Sequence, residues 1–220
     1  MRNLNQLILK FDYEQNFKYD DYYVSNSNKY PFNIITSWPK WEKKFINVIG
    51  EKFSGKTHLI NVFLKKFNGI KINANLLDND FLNKIKIYEN VVVEDLHSKI
   101  DEKLFFTLMN IIDQDNKYLI ITSEKPIDNI RFKLNDLNSR AKNFILLNIE
   151  KPDDDMIFAL ILKHLSDRQI SIDKKLIDYI IKRIERSYGK IFEFIYKVDE
   201  ISLKRKKAID FKIIKEALGE

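Results

Sequence analysis

The chain contains no cysteine, so disulfides and thiolate metal sites are excluded, and the absence fits a reducing compartment. Its three histidines, His58, His97 and His164, stand too far apart in sequence to suggest a zinc site. No run approaches the roughly 18 apolar residues that cross a bilayer. The opening Met1-Arg2-Asn3-Leu4-Asn5-Gln6 does not lead into a signal-peptide core. These absences predict a soluble, cytoplasmic protein with no membrane partner. Glycine is also scarce, at five in 220 residues, so a pattern that places two of them in one turn stands out.

What is present points to a packed fold. Forty-five per cent of residues are hydrophobic, enough for a core and against disorder. Lys plus Arg number 38 against 32 Asp plus Glu, a formal charge of +6. Such an excess bears on solubility and association rather than on fold, and direct contact with DNA is expected to be weak or absent. The basic run Lys204-Arg205-Lys206-Lys207 reads first as a helix end, where cations complement the dipole, and second as a phosphate contact.

Residues 1–16 lack a helical period and read as an extended tail. Apolar runs then alternate with helical patterns: strands over 45–49, 70–73, 91–93, 118–122 and 144–149, helices over 57–66 and 102–112. Continuous apolar strands separated by helices predict an α/β core with a parallel five-stranded sheet covered by helices on both faces. Beyond Glu150 the pattern turns wholly helical, over 154–167, 173–186, 189–204 and 210–218, with Asp173 and Asp210 as N-caps and Pro152 and Asp153–Asp155 opening the first helix. The expected organisation is a tail, a nucleotide-binding core over 17–150 and an all-helical lid over 151–220.

The glycine pattern is Gly50-Glu51-Lys52-Phe53-Ser54-Gly55-Lys56-Thr57, a P-loop that follows a strand and opens a helix. Glycines let successive backbone N–H groups turn inward around phosphates, and the helix offers its positive end to the same anion. Lys56 would reach the outer phosphates of ADP or ATP, and the Thr57 hydroxyl would take one Mg²⁺ position. His58 continues the helix beside them and is grouped with this site, although packing is its simplest role. Val91-Val92-Val93-Glu94-Asp95 supplies two acids at a strand end: Glu94 for the metal and Asp95 to polarise an attacking water. Glu94 is one methylene longer than the aspartate usual at that position, so intrinsic hydrolysis is expected to be weak.

In this order the blocks resemble AAA+ ATPases of the DnaA replication-initiator group. Gly50 to Leu59 with the VVVED strand is followed by Leu119-Ile120-Ile121-Thr122-Ser123-Glu124-Lys125-Pro126, similar to the sensor-1 strand, and by Asp136-Leu137-Asn138-Ser139-Arg140, similar to the arginine-finger segment. The resemblance runs from about Phe17 to Leu218. It implies that Thr122 and Ser123 orient a water, that Arg140 acts across a subunit edge, and that Lys190 occupies the sensor-2 position, with Arg186 as a second choice. Trp38 and Trp41 read either as neighbours of the adenine or as core.

The resemblance is nearest to the regulatory inactivators of DnaA, the Hda type, because the expected chain begins almost directly with the core and stops after the lid. Gln6-Leu7-Ile8-Leu9-Lys10-Phe11 is similar to the sliding-clamp-binding pattern, with Gln6, Leu7, Leu9 and Phe11 entering the clamp groove. The implied role is to bind the clamp and promote hydrolysis of DnaA-bound ATP, as a possible homo-oligomer and as an activator of DnaA rather than a vigorous ATPase. A helicase-loader adaptor, a small-molecule kinase and a nucleotide-locked adaptor without catalysis are the alternatives.

Overall fold

The computed structural model describes residues 22–220 apart from Gln169 and Ser171. The segment over 6–11, expected from the sequence to bind the clamp, lies outside the described residues. Five parallel strands, β1 (Phe45–Ile49), β2 (Gly69–Asn73), β3 (Asn90–Leu96), β4 (Tyr118–Ser123) and β5 (Ile145–Asn148), form one sheet in the order β2-β3-β4-β1-β5. Every pairing is parallel, with β1 central enough that Ile46 lies opposite both Ile120 and Ile145.

Burial on both faces explains why the strands read as unbroken apolar runs. Val91, Val93, Leu119 and Ile121 face a layer that includes Phe105, Leu108, Met109 and Ile112 of α4 (Glu102–Gln114). Ile46, Val48, Val92, Ile120 and Leu147 face the other way, onto Leu59, Ile60 and Phe63 of α2 (Lys56–Lys66). Successive strand residues point to opposite faces, so position along β3 fixes which helix a side chain meets.

Three short helices were not legible in the sequence: α1 (Lys29–Thr36), α3 (Asn79–Lys84) and α5 (Asn135–Ala141). Each is too short to show a full amphipathic period, and each is held mainly by the core beneath it. Trp38 and Trp41 settle as core. Trp38 meets the rings of Phe63, Phe67 and Tyr118, and Trp41 stacks on Phe63 at 5.5 Å. Phe67 follows the end of α2 and Tyr118 opens β4, so the indoles lie at the end of the sheet away from the phosphate turn. Phe63 is fully buried at the centre of this cluster. Phe63→Ala should cost about 3–5 kcal/mol, read as a lowered urea midpoint.

The lid comprises α6 (Asp154–Ser166), α7 (Lys174–Ile181), α8 (Tyr188–Arg205) and α9 (Phe211–Leu218) around a core of its own. Asp153, Asp173 and Asp210 cap α6, α7 and α9 by accepting N–H bonds from Met156, Lys175 and Ile213 at 2.8–2.9 Å. Helix α7 stops at Ile181, five residues before the sequence pattern suggests; Ile184 stays buried from the turn that follows, which carries the apolar spacing past the helix end. The basic run is a helix end: Lys206 adopts a left-handed conformation at φ 51° and closes α8, while Lys204 pairs with Glu200 and Arg205 with Glu216.

Candidate phosphate-binding site

The turn between β1 and α2 is built around two glycines, each at a place where a side chain would clash or strain the backbone. A Cβ on Gly50 would lie 2.4 Å from Ser54 Oγ, and Gly55 sits at φ +88°. Phe53 is also left-handed, at φ 68°. Gly50 N–H donates to Ser123 O (3.2 Å) and Ser54 N–H to Glu51 O (3.2 Å), which pins the entry and the tip. Alternating handedness of this kind forms an anion-binding concavity, here opening on the positive end of α2.

Lys56 is buried and donates to Gly50 O (2.8 Å) and Glu51 O (2.9 Å). An ammonium has three donors, so one remains for a ligand. Burial pulls its pKa below the ordinary lysine value, against the opposing pull of Asp95, Glu124 and Glu51. An entering anion would favour the charged form and offset that cost. Ser54 Oγ is buried without a protein partner among the described residues. Thr57 and His58 are half-buried in the first turn of α2, and Lys52 lies 5.3 Å over the Phe53 ring at the exposed tip. The arrangement suits a diphosphate or triphosphate.

The two acids at the end of β3 are set by a register irregularity between Val93 and Leu96, which turns Asp95 to φ 56°. Asp95 N–H donates to Thr122 Oγ1 (3.0 Å), and its carboxylate accepts from Asn73 Nδ2 (3.0 Å). Thr122 and Ser123 are both buried. Ser123 Oγ donates to Lys125 O (2.7 Å) and accepts from Asn47 Nδ2 (2.8 Å), while Asn47 Oδ1 accepts Ile127 N–H (2.9 Å). Both hydroxyls thus hold the strand ends and the following turn in place. Asn47, buried within an apolar strand and unremarked in the sequence, ties β1 to β4 at the site.

Glu94 does not fit a hydrated divalent cation. Its Oε2 lies 3.1 Å from Lys71 Nζ, and its Oε1 is shut off from solvent with no protein partner among the described residues. Mg²⁺ keeps several of its waters, whereas one oxygen here is paired with an ammonium and the other is closed to solvent.

The lid reaches the turn through Glu51. Its carboxylate accepts from Tyr188 N–H (2.5 Å) and Ser187 Oγ (3.1 Å). Ser187 makes no capping bond of its own, so Glu51 caps α8 from 137 residues away in the chain. Beside it Phe53 meets Phe192 at 5.1 Å, and Phe192 meets the His164 ring at 4.6 Å. Lys190 pairs with Glu193 (2.8 Å) and Arg186 with Asp154 (2.5 Å), so each has its acid within the lid.

No family model matches the chain. The chromosomal replication initiator protein DnaA of Thermoanaerobacter sp. (strain X514) is 24% identical over 230 residues, covering 93% of this chain and 52% of that protein. The chain therefore spans about half the length of the curated relatives it matches. Among solved structures, domain III of the Thermotoga maritima replication initiation protein DnaA superposes with a TM-score of 0.73 at 14% identity, covering 92% of this chain and 95% of that one. The chain is related to DnaA and has the fold of its AAA+ domain. AMPPCP-bound DnaA from Aquifex aeolicus superposes with a TM-score of 0.68 at 18% identity, covering 92% and 80%.

In this DnaA-related domain the segment before α1 also contributes to the site, which the sequence did not reveal. Tyr22 stacks on Phe32 (5.6 Å) and meets His58 edge-on (5.1 Å), and a Cβ on Gly55 would lie 3.6 Å from its ring. Burial raises its phenol pKa well above the ordinary value. Ser25 Oγ and Ser27 Oγ share a hydrogen bond (2.8 Å), and Ser27 Oγ continues to Tyr188 OH (3.3 Å). Ser27 N–H donates to Asp153 Oδ2 (3.1 Å) and its carbonyl accepts Glu150 N–H (2.8 Å), which fastens the segment to the start of the lid.

Arg140 stands apart from the turn, on α5. Its Nη1 donates to Asp113 Oδ2 (3.0 Å) and its guanidinium lies 5.2 Å over the Phe106 ring, with the side chain partly exposed.

Proposed function

We propose that this DnaA-related chain binds ADP or ATP in the turn over residues 50–57 and acts as a regulator of replication initiation. In this reading it docks on the sliding clamp through Gln6, Leu7, Leu9 and Phe11 and promotes hydrolysis of DnaA-bound ATP. The observation that carries it is the pairing of an anion-binding turn with a lid helix seated on the same loop, through Glu51. A nucleotide in the turn would thereby set the lid. The relative from Aquifex aeolicus was solved with AMPPCP, which supports a nucleotide here.

Arg140 is the residue offered to a neighbour. Asp113 and the Phe106 face hold its guanidinium at the surface without burying it, so it is oriented and still within reach of a partner. Fingers of this kind are worth about 10³–10⁵ in rate in other P-loop enzymes. Clamp loaded on DNA, DnaA-ATP and this protein should release phosphate faster than DnaA-ATP with loaded clamp alone. Arg140→Ala should remove the acceleration, and turnover that is the same with and without the protein would end the proposal.

A nucleotide-locked adaptor without catalysis is the second reading. Asp95 accepting from Asn73, and Lys190 held on Glu193, favour it. Tight nucleotide binding with no effect on DnaA turnover would select it.

A further inference from the structure

We propose that Lys71 is a built-in cation that takes the place of a divalent metal at Glu94, so that this chain holds nucleotide without Mg²⁺. The inference rests on the reading that the turn over residues 50–57 binds nucleotide, and it adds what that site requires and what it dispenses with.

The placement follows from strand alternation. Val92 packs on the α2 layer while Val91 and Val93 pack on the opposite one. Glu94, two residues beyond Val92, is directed to the α2 face by that same alternation. Asn73 of β2 lies opposite Glu94 in the register, so Lys71, two residues earlier on β2, shares the face with Asn73. Lys71 Nζ lies 3.1 Å from Glu94 Oε2 and donates to Asn61 Oδ1 of α2 at 2.8 Å. Asn61 is one helical turn beyond Thr57, on the same side of α2. The ammonium is therefore anchored to the helix that carries the phosphate-side threonine and to the carboxylate that would otherwise meet a metal.

Charge decides what this arrangement can accept. Glu94 has only 11% of its side chain exposed, and its one negative charge is already matched by Lys71. A divalent ion brought to the same carboxylate would face the ammonium as well as the cost of losing water, while the neighbouring Asp95 carboxylate is engaged with Asn73. The positive charge that phosphates need comes instead from Lys56 in the turn, with the Lys71–Glu94 pair neutral behind it.

The test is a titration of the whole chain with mant-ADP, in saturating Mg²⁺ and in excess EDTA, followed by fluorescence. The wild-type Kd should change by less than about threefold between the two, well under the tenfold that 1.4 kcal/mol represents. Lys71→Ala uncovers the carboxylate, and its Kd should rise by about tenfold or more when Mg²⁺ is removed. Lys71→Arg keeps a cation and should stay insensitive. A wild-type protein that loses tenfold or more in EDTA overturns the proposal, with no variant needed. Failure of mant-ADP to bind in either buffer would instead remove the nucleotide reading, and the metal-free site with it. As a second readout, ADP should raise the wild-type unfolding temperature equally with and without Mg²⁺.

Discussion

Lys56→Ala should weaken ADP and ATP binding by about 10–100-fold, measured by isothermal titration. A hydrogen bond to a charged group contributes about 1.5–3 kcal/mol, and that range converts to this factor. A further loss comes with it. Gly50 O and Glu51 O lose the donor that holds them at 2.8 and 2.9 Å, so the turn itself loosens. Lys56→Arg should rescue little, because a planar fork cannot point three donors from one atom into the same small concavity. Circular dichroism should show the fold intact, and wild-type affinity in Lys56→Ala would remove the turn from the binding reaction.

The second large effect is expected at the other end of the same loop. Glu51→Ala should free the first turn of α8, seen as faster amide hydrogen exchange at Tyr188 and in the residues after it. Helix α8 has no capping bond from Ser187, so loss of Glu51 leaves its N-terminus with no side-chain acceptor among the described residues. Charge-assisted bonds of this kind are worth about 1.5–3 kcal/mol each, and the partly buried setting preserves much of that. Phe53 and Phe192 still touch in the variant, so the lid should loosen rather than detach. Glu51→Gln retains an acceptor without its charge and should fall between the two. Exchange at Tyr188 that is indifferent to both substitutions would show that the lid is seated by other contacts.

The sheet, its parallel sense, the lid and the turn over residues 50–57 were all legible because each follows from local pattern: unbroken apolar strands, helical spacing, Asp at helix starts and a glycine spacing that few loops share. What could not be read from one sequence were pairings between distant segments. Glu51 reads in the sequence only as a member of the phosphate turn, and only the fold brings Tyr188 to it. The strand over 70–73 carries no sign of what its one lysine meets, yet Lys71 lies against Glu94. Asn47 was hidden inside an apolar run, and its amide serves the ends of two strands. The helix over 29–36 was missed because Pro31 and a run of Tyr and Asn mask its short apolar stripe. The sensor-2 position of Lys190, and Arg186 beside it, follow from order in a motif, which says nothing of the ion pairs with Glu193 and Asp154.

The segment from Tyr22 to Asn28 has a mechanical consequence. One end of it rests against Gly55, and a few residues on it grips Glu150 and Asp153, where the chain passes from sheet to helices. Traction applied upstream of Tyr22 would be delivered first to the ring beside the turn and then to the junction at Glu150 and Asp153. Anything that anchors the chain on that side can thus pull on the loop and on the cover above it through a single strut.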